Sequence, residues 1–334
     1  MIKLLNNPTF DNERNILNAD LFVSNLKNTL KAFDFNIKTE YIVYRNITVY
    51  NLTWTGDKPY EDLIELKKEI ALSLGINTIN LGLKKVSDNE AQITVQNMKK
   101  DILTLKELLS EYKKDNRFKV ALGLDEKDNV VYFDFDKEKS LLVTGVTGTG
   151  KTNLFNNIIM NILINYDNTK VIILDSQGIN YNVYSEVYEV VNKEEQIINK
   201  IRELRGEFED RIRNGNKDRV VVFIDEIYEI INLDNSIKDD INYLLEVGSM
   251  MNIHLIISTD SVIEDNIFDL FKKDNISKLS FYLTSRGEYN LFLDEVITES
   301  LNNDGLYLGQ EKELIRLSVP LVMDDEIERV VSSK

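Results

Sequence analysis

Eight consecutive residues, Gly145-Val146-Thr147-Gly148-Thr149-Gly150-Lys151-Thr152, constrain this chain more than any other stretch. They satisfy G-x-x-x-x-G-K-[ST] at every fixed position, which chance would produce in a chain of this length about one time in a hundred. The apolar run Leu141 to Thr144 leads into them, and Leu154, Phe155, Ile158, Ile159, Ile162 and Leu163 follow at helical spacing. Strand, glycine-lined turn and helix start, in that order, build an anion site. The glycines let main-chain N–H groups converge, and the helix N-terminus adds its positive dipole end. The pattern assigns Gly145, Val146, Thr147, Gly148, Thr149, Gly150, Lys151, Thr152 and the adjoining Asn153 to the phosphates of ATP. Lys151 reaches the β and γ phosphates in this reading, and the Thr152 hydroxyl ligates Mg²⁺.

A second stretch complements the first. Val220-Val221-Val222-Phe223-Ile224 is an apolar strand ending in Asp225-Glu226, and strand C-termini are where ligands sit in open α/β sheets. Asp225 is assigned to the Mg²⁺ shell and Glu226 to orienting and deprotonating the attacking water. The alternative for both carboxylates is simple capping of the helix that follows.

Composition narrows the chemistry further. The 334 residues contain no cysteine and one histidine, His254, which excludes disulfides and thiolate metal sites and leaves an oxygen-ligated ion such as Mg²⁺. His254 lies mid-strand among apolar residues and reads as a satisfied core residue. The net charge of −16 argues against a broad basic surface for gripping nucleic acid, though not against contact through local loops. No apolar run approaches the ~18 residues of a membrane span, and the N-terminus has no signal-peptide pattern, so a soluble cytoplasmic protein is expected.

Patterning predicts two domains after an N-terminal arm at 1–18. Residues 19–115 form a small α+β domain: a helix capped by Asp20 and running to Ala32, strands at Phe35 to Tyr44 and Ile47 to Trp54, and a helix from Tyr60 to Leu74. Strands near Thr78 to Leu83 and Ala91 to Val95 and a helix over Leu103 to Tyr112 complete it. Trp54 and the tyrosines read as packing residues. The charged run Lys113 to Arg117 marks the boundary. In 116–334, short apolar strands at Leu141 to Thr144, Val171 to Leu174, Val220 to Ile224, Ile253 to Ser258 and Leu279 to Thr284 alternate with helices. That alternation predicts an α/β fold with a mostly parallel sheet covered on both faces.

The chain resembles the FtsK/SpoIIIE-type DNA translocases, relatives of HerA-type motors and conjugative coupling proteins. Several short matches carry the resemblance in the family's order: Ala121-Leu122-Gly123, Leu141 to Gly145, Asp175 followed by Tyr184, Asp225-Glu226 and Ile253 to Thr259. Thr284-Ser285-Arg286, Leu293-Asp294 and Asp304-Gly305-Leu306-Tyr307-Leu308 continue it. The resemblance implies a RecA-like ATPase core preceded by the family's smaller α+β domain, and a homo-oligomeric, hexameric ring that threads double-stranded DNA. It also implies ATP bound between subunits, with Thr259 sensing the γ-phosphate and Arg286 or Lys278 supplying charge to a neighbouring subunit's site; the alternative for both cations is an ordinary surface pair.

Three positions depart from the family pattern. Asp175-Ser176-Gln177 replaces Asp-Pro-Lys, Thr259-Asp260-Ser261-Val262 replaces Thr-Gln-Arg-Pro, and Ser277-Lys278 stands where Pro-Thr-Arg is usual. Lys cannot reproduce the planar fork of Arg. Lys272-Lys273 are candidates for phosphate contact or for a solvated pair. The expected function is an ATP-driven DNA translocase. The alternative is a conjugative coupling or secretion-type ring ATPase with a protein partner, which the acidic balance and the lost basic positions favour.

Overall fold

The computed structural model describes residues 1–7, 13–78, 81–97, 102–112, 115–260, 276–293, 305–309 and 311–334. The chain divides into two compact units. Met1–Pro8, Leu103–Asp125 and Val130–Lys334 make the larger, and Thr9–Ile102 with Glu126–Asn129 the smaller.

In the smaller unit, α1 (Glu13–Lys31) precedes β1 (Asn36–Val43) and β2 (Ile47–Thr55), followed by α2 (Tyr60–Glu65), α3 (Lys67–Ser73), β3 (Leu81–Ser87) and β4 (Glu90–Gln96). The strands form an antiparallel sheet in the order β1-β2-β4-β3. Ala19, Phe22, Leu26 and Leu30 recur every three or four residues along α1 and are buried with Tyr50, Leu52, Trp54 and Ile93. Trp54 is a packing residue, its ring edge-on to Phe35 at 5.8 Å and its indole N–H donating to the Lys58 carbonyl at 2.9 Å. Helix α1 starts upstream of Asp20, so Asp20 is not its cap; its Oδ1 accepts the Tyr41 hydroxyl at 2.6 Å. The helix expected over Tyr60 to Leu74 is two, because the backbone at Leu66 leaves helical geometry (φ −82°, ψ 6°).

The larger unit contains α4 (Leu105–Ser110), the hairpin of β5 (Lys119–Leu124) and β6 (Val130–Asp134), β7 (Leu141–Thr144), α5 (Lys151–Asn165), β8 (Thr169–Asp175) and β9 (Glu189–Val191). It continues through α6 (Glu194–Asn214), β10 (Arg219–Asp225), α7 (Ile227–Leu233), α8 (Ile237–Val247), β11 (Ile253–Thr259), β12 (Ser277–Ser280), α9 (Arg286–Leu293), β13 (Gly305–Leu308), β14 (Leu314–Leu317) and α10 (Asp324–Val331). The main sheet runs β14-β13-β12-β7-β11-β10-β8-β9, parallel from β12 to β9, with β13 and β14 joining antiparallel.

Continuous apolar strands are explained by burial on both faces. Along β10, Val221 and Phe223 pack with Leu154, Phe155 and Ile158 of α5, whereas Val220, Val222 and Ile224 pack with residues of α6, α7 and α8. Two expectations are corrected here. Residues 1–7 are not a loose arm: Leu5 is buried in the larger unit's core, and Arg329 donates to the Leu4 carbonyl and to Asn6 Oδ1, each at 2.9 Å. Helix α4 belongs to the larger unit because Leu105, Leu108 and Leu109 bury among its residues, which moves the division upstream of Lys113. Among the described residues no helix is long and apolar enough to cross a membrane.

His254 is the core residue its position on β11 predicts. It is buried, its Nδ1 lies 2.9 Å from the Lys139 carbonyl, and Phe135 stands edge-on at 5.1 Å. Burial lowers its pKa, opposed by the Lys139 carbonyl and Asp136 and reinforced by Arg219. Below the ordinary imidazole value of about 6.5 the unfolded chain takes up a proton that the folded chain resists, so stability falls as pH falls. Denaturant melts of the parent and His254→Gln at pH 7.5 and pH 5.5 are expected to show that the parent loses more stability on acidification than the variant.

Candidate nucleotide-binding site

Strand register assembles the site. Thr144 pairs with Thr259 across β7 and β11, Ile224 with Ile257 across β10 and β11, and Asp225 with Asp175 across β10 and β8. The C-terminal residues of four parallel strands therefore share one edge of the sheet, beside the loop that follows Thr144.

That loop takes its shape from glycines. Gly145, Gly148 and Gly150 have φ of 154°, 83° and 120°, conformations that side-chain-bearing residues rarely adopt. At Gly145 a Cβ would lie 2.6 Å from Thr149 Oγ1 and 2.7 Å from the Phe281 Cβ, so this glycine is also required by packing. At Gly148 it would meet nothing within 4 Å. Thr149 closes the turn, its N–H and hydroxyl both donating to the Val146 carbonyl at 3.2 and 2.7 Å. Helix α5 begins at Lys151, and its first amides, which no helical carbonyl can satisfy, open toward the loop.

Lys151 is buried, its Nζ 2.6 Å from the Gly145 carbonyl and 3.1 Å from Glu226 Oε1. Glu226 Oε2 accepts the Asp260 main-chain N–H at 2.9 Å. Burial raises the Glu226 pKa, with Lys151 opposing it and Asp260 and Asp225 adding to it. Its backbone is left-handed (φ 52°, ψ 64°), a strained state for a residue with a side chain that costs on the order of 1–3 kcal/mol and is typical of functional positions. Asp225 is buried with a raised pKa, first from burial; the Ser258 hydroxyl opposes the shift and Asp175 adds to it. Asp175 folds the loop after β8 by accepting the N–H groups of Gly178 and Asn180, both at 3.0 Å.

A magnesium-bound triphosphate fits these residues. The Thr144 hydroxyl is buried at the end of β7 without a hydrogen-bond partner, and the Tyr181 hydroxyl is buried beside Thr152, Asp225 and Asp175. Asp225 and Asp175 place two buried carboxylates on adjacent strands, where a cation would offset their repulsion. Hard oxygen donors of this kind suit Mg²⁺.

Other expected residues fall less simply. Asn153 turns its side chain away from the loop: Nδ2 donates to the Pro320 carbonyl at 2.7 Å and Oδ1 accepts the Val322 N–H at 2.9 Å. The side chain thus clamps α5 to the segment before α10. Thr259 is buried at the shared edge, opposite Thr144. Lys278 is buried in the middle of the sheet, its Nζ 5.8 Å from the centre of the Phe292 ring, and does not project as a charge offered to another subunit would. Arg286 opens α9, after a Ser285–Glu288 capping pair, but its side chain lies outside the described residues, as do Ser261, Val262, Lys272, Lys273, Asp294 and Asp304. Ser176, at a departed position, donates to Glu229 Oε2 at 2.8 Å.

Sequence reasoning assigned no role to Ser258, Asp175 or Tyr181. The available signal was polarity: Ser258 is a hydroxyl directly after the apolar run Leu255-Ile256-Ile257, aligned with the end of β10.

A strand, phosphate loop and helix facing an acidic strand end define a P-loop NTPase. The FtsK/SpoIIIE family model matches residues 104–271, and the chain belongs to that family of P-loop ATPases. It is 24% identical over 347 residues to the DNA translocase FtsK of Staphylococcus aureus, covering 92% of this chain and 44% of that protein. To the DNA translocase FtsK of Halalkalibacterium halodurans it is 25% identical over 373 residues, covering 99% of this chain and 47% of that one. The chain thus spans about half the length of these relatives. Among solved structures, the conjugation coupling protein TcpA of pCW3 shares the fold with a TM-score of 0.63 and 14% identity, over 93% of this chain and 99% of that one. The cytoplasmic domain of the type VII secretion ATPase EccC of Thermomonospora curvata shares it with a TM-score of 0.58 and 16% identity, over 70% and 34%.

Gly145→Ala is expected to destabilise the fold by about 3 kcal/mol through overpacking and strain, and Gly148→Ala by about 1 kcal/mol through strain alone. Denaturant melts of the two variants beside the parent check this ordering.

Proposed function

We propose that this protein is an ATP-driven translocase of double-stranded DNA. The observation that carries the hydrolytic half is the convergence of Lys151, Asp225 and Glu226 at one sheet edge. In this reading Lys151 leaves its ion pair with Glu226 to take the β and γ phosphates, and Thr152 and Asp225 hold Mg²⁺, which supplies charge neutralisation at the phosphates. Glu226, freed of the ammonium, accepts the proton of the attacking water, and its raised pKa makes it a stronger base than an exposed glutamate. Thr259 senses the γ-phosphate from the end of β11.

The DNA half is supported by the near-complete coverage of this chain in its alignment to DNA translocases. With it come a ring of copies of this chain, six by family resemblance, with nucleotide between them, and a cytoplasmic location. Arg286 is the remaining candidate for the charge a neighbour supplies.

A protein or nucleoprotein substrate is the second reading, favoured by the net charge of −16 and by Ser176-Gln177 where the family carries a lysine. Steady-state ATPase assays with and without linear duplex DNA separate the two. Several-fold stimulation by DNA, declining as salt rises, is expected; rates independent of DNA at low salt contradict translocation of DNA.

Lys151→Ala is expected to abolish turnover. Glu226→Gln is expected to retain nucleotide binding, since it removes the partner that competes for Lys151, while lowering kcat at least ~100-fold. Near-normal hydrolysis in Glu226→Gln would remove it as the base.

A further inference from the structure

We infer that Ser258 is a positioning residue for hydrolysis, holding the Asp225 carboxylate and the Glu226 main chain in register through one hydroxyl. This rests on the hydrolytic role proposed for those two acids.

The inference follows from where the parallel ladder stops. Pairing between β10 and β11 extends to Ile224 and Ile257. The next residues, Asp225 and Ser258, stay in the sheet through their other neighbours, Asp175 of β8 and Val143 of β7, and Glu226 turns left-handed immediately beyond Asp225. At that kink the Glu226 N–H donates at 3.0 Å to Ser258 Oγ, a side-chain acceptor. The same hydroxyl donates its hydrogen to Asp225 Oδ1 at 2.6 Å. A serine hydroxyl has one hydrogen, so donation to Asp225 leaves lone pairs facing Glu226, and the two bonds fix each other's direction. Ser258 is fully buried, so water does not substitute for either partner.

The division of labour around Glu226 sharpens the point. Its carboxylate is held by Lys151 and by the Asp260 N–H, neither of which touches Ser258 oxygen. Ser258 instead holds the backbone from which that carboxylate projects. It also fixes one oxygen of Asp225, a carboxylate whose charge Lys151 and the Asn180 side chain help to stabilise. A left-handed glutamate persists only where its surroundings over-determine it, and this hydrogen bond is one of the restraints. Alanine at 258 removes both bonds, strands a buried N–H and frees Asp225 to rotate, without altering the phosphate loop.

Ser258→Ala is expected to lower kcat by about 10-fold or more while KM for ATP and nucleotide Kd stay within about two-fold, the signature of an interaction that matters in the transition state. Ser258→Cys, close in volume with a weaker donor, is expected to lose less. It also serves as the readable variant if the alanine protein does not fold. In the Glu226→Gln background the Ser258→Ala loss is expected to shrink to under about two-fold in single-turnover assays, because the two residues act as a unit. Unchanged kcat in Ser258→Ala, or equal losses in kcat, binding affinity and melting temperature, overturns the positioning role while leaving the ATPase reading intact. A parent protein without turnover, with the same null rate in Lys151→Ala, overturns the ATPase reading and this inference with it.

Discussion

The register of four parallel strands is the constraint on which the rest depends. Because β7, β11, β10 and β8 run in one direction and end together, Thr144, Thr259, Asp225 and Asp175 arrive at one edge without any loop having to carry them there. A one-residue slip in β10 would turn Asp225 and Glu226 to opposite faces and bury charge in the apolar layers. Alternating burial prevents this: Val221 and Phe223 require one layer, Val220, Val222 and Ile224 the other. Packing and chemistry are specified by the same strand.

On this edge the charges are arranged as a closed set. Lys151 bridges the Gly145 carbonyl and Glu226, Asp260 supplies a main-chain N–H to the second Glu226 oxygen, and Ser258 joins Asp225 to the Glu226 backbone. Each buried carboxylate has a donor, which is what burial demands of a charge. Asp260, where the family carries a neutral side chain, contributes through its main chain as well as its acid. A replaced side chain here changes the field at Glu226 without removing the hydrogen bond that orients it.

Much of this was legible in the sequence because it depends on local pattern. The phosphate loop, the strand ending in Asp225-Glu226 and the mostly parallel sheet are repeats of apolar and glycine residues at short range. What the sequence concealed depends on distant partners. Asn153 adjoins the phosphate loop in sequence and Asn157 drew no assignment, yet the Asn153 side chain clamps Pro320 and Val322, and Asn157 donates to the carbonyls of Ala121 and Leu122. Lys278 looked exposed because lysine usually is, but β13 and β14 extend the sheet past it, and no periodic signal announced those two short strands. Asp20 had the chemistry of a cap, and packing of Ala19 and Phe22 extended the helix through it.

Calorimetric titration of the intact protein with ATP, with and without Mg²⁺, tests the central claim most directly. A saturable site whose affinity increases with Mg²⁺ and vanishes in Lys151→Ala is the predicted result. Absence of binding heat in the parent protein, or equal affinity in parent and Lys151→Ala, would contradict a nucleotide site at this sheet edge.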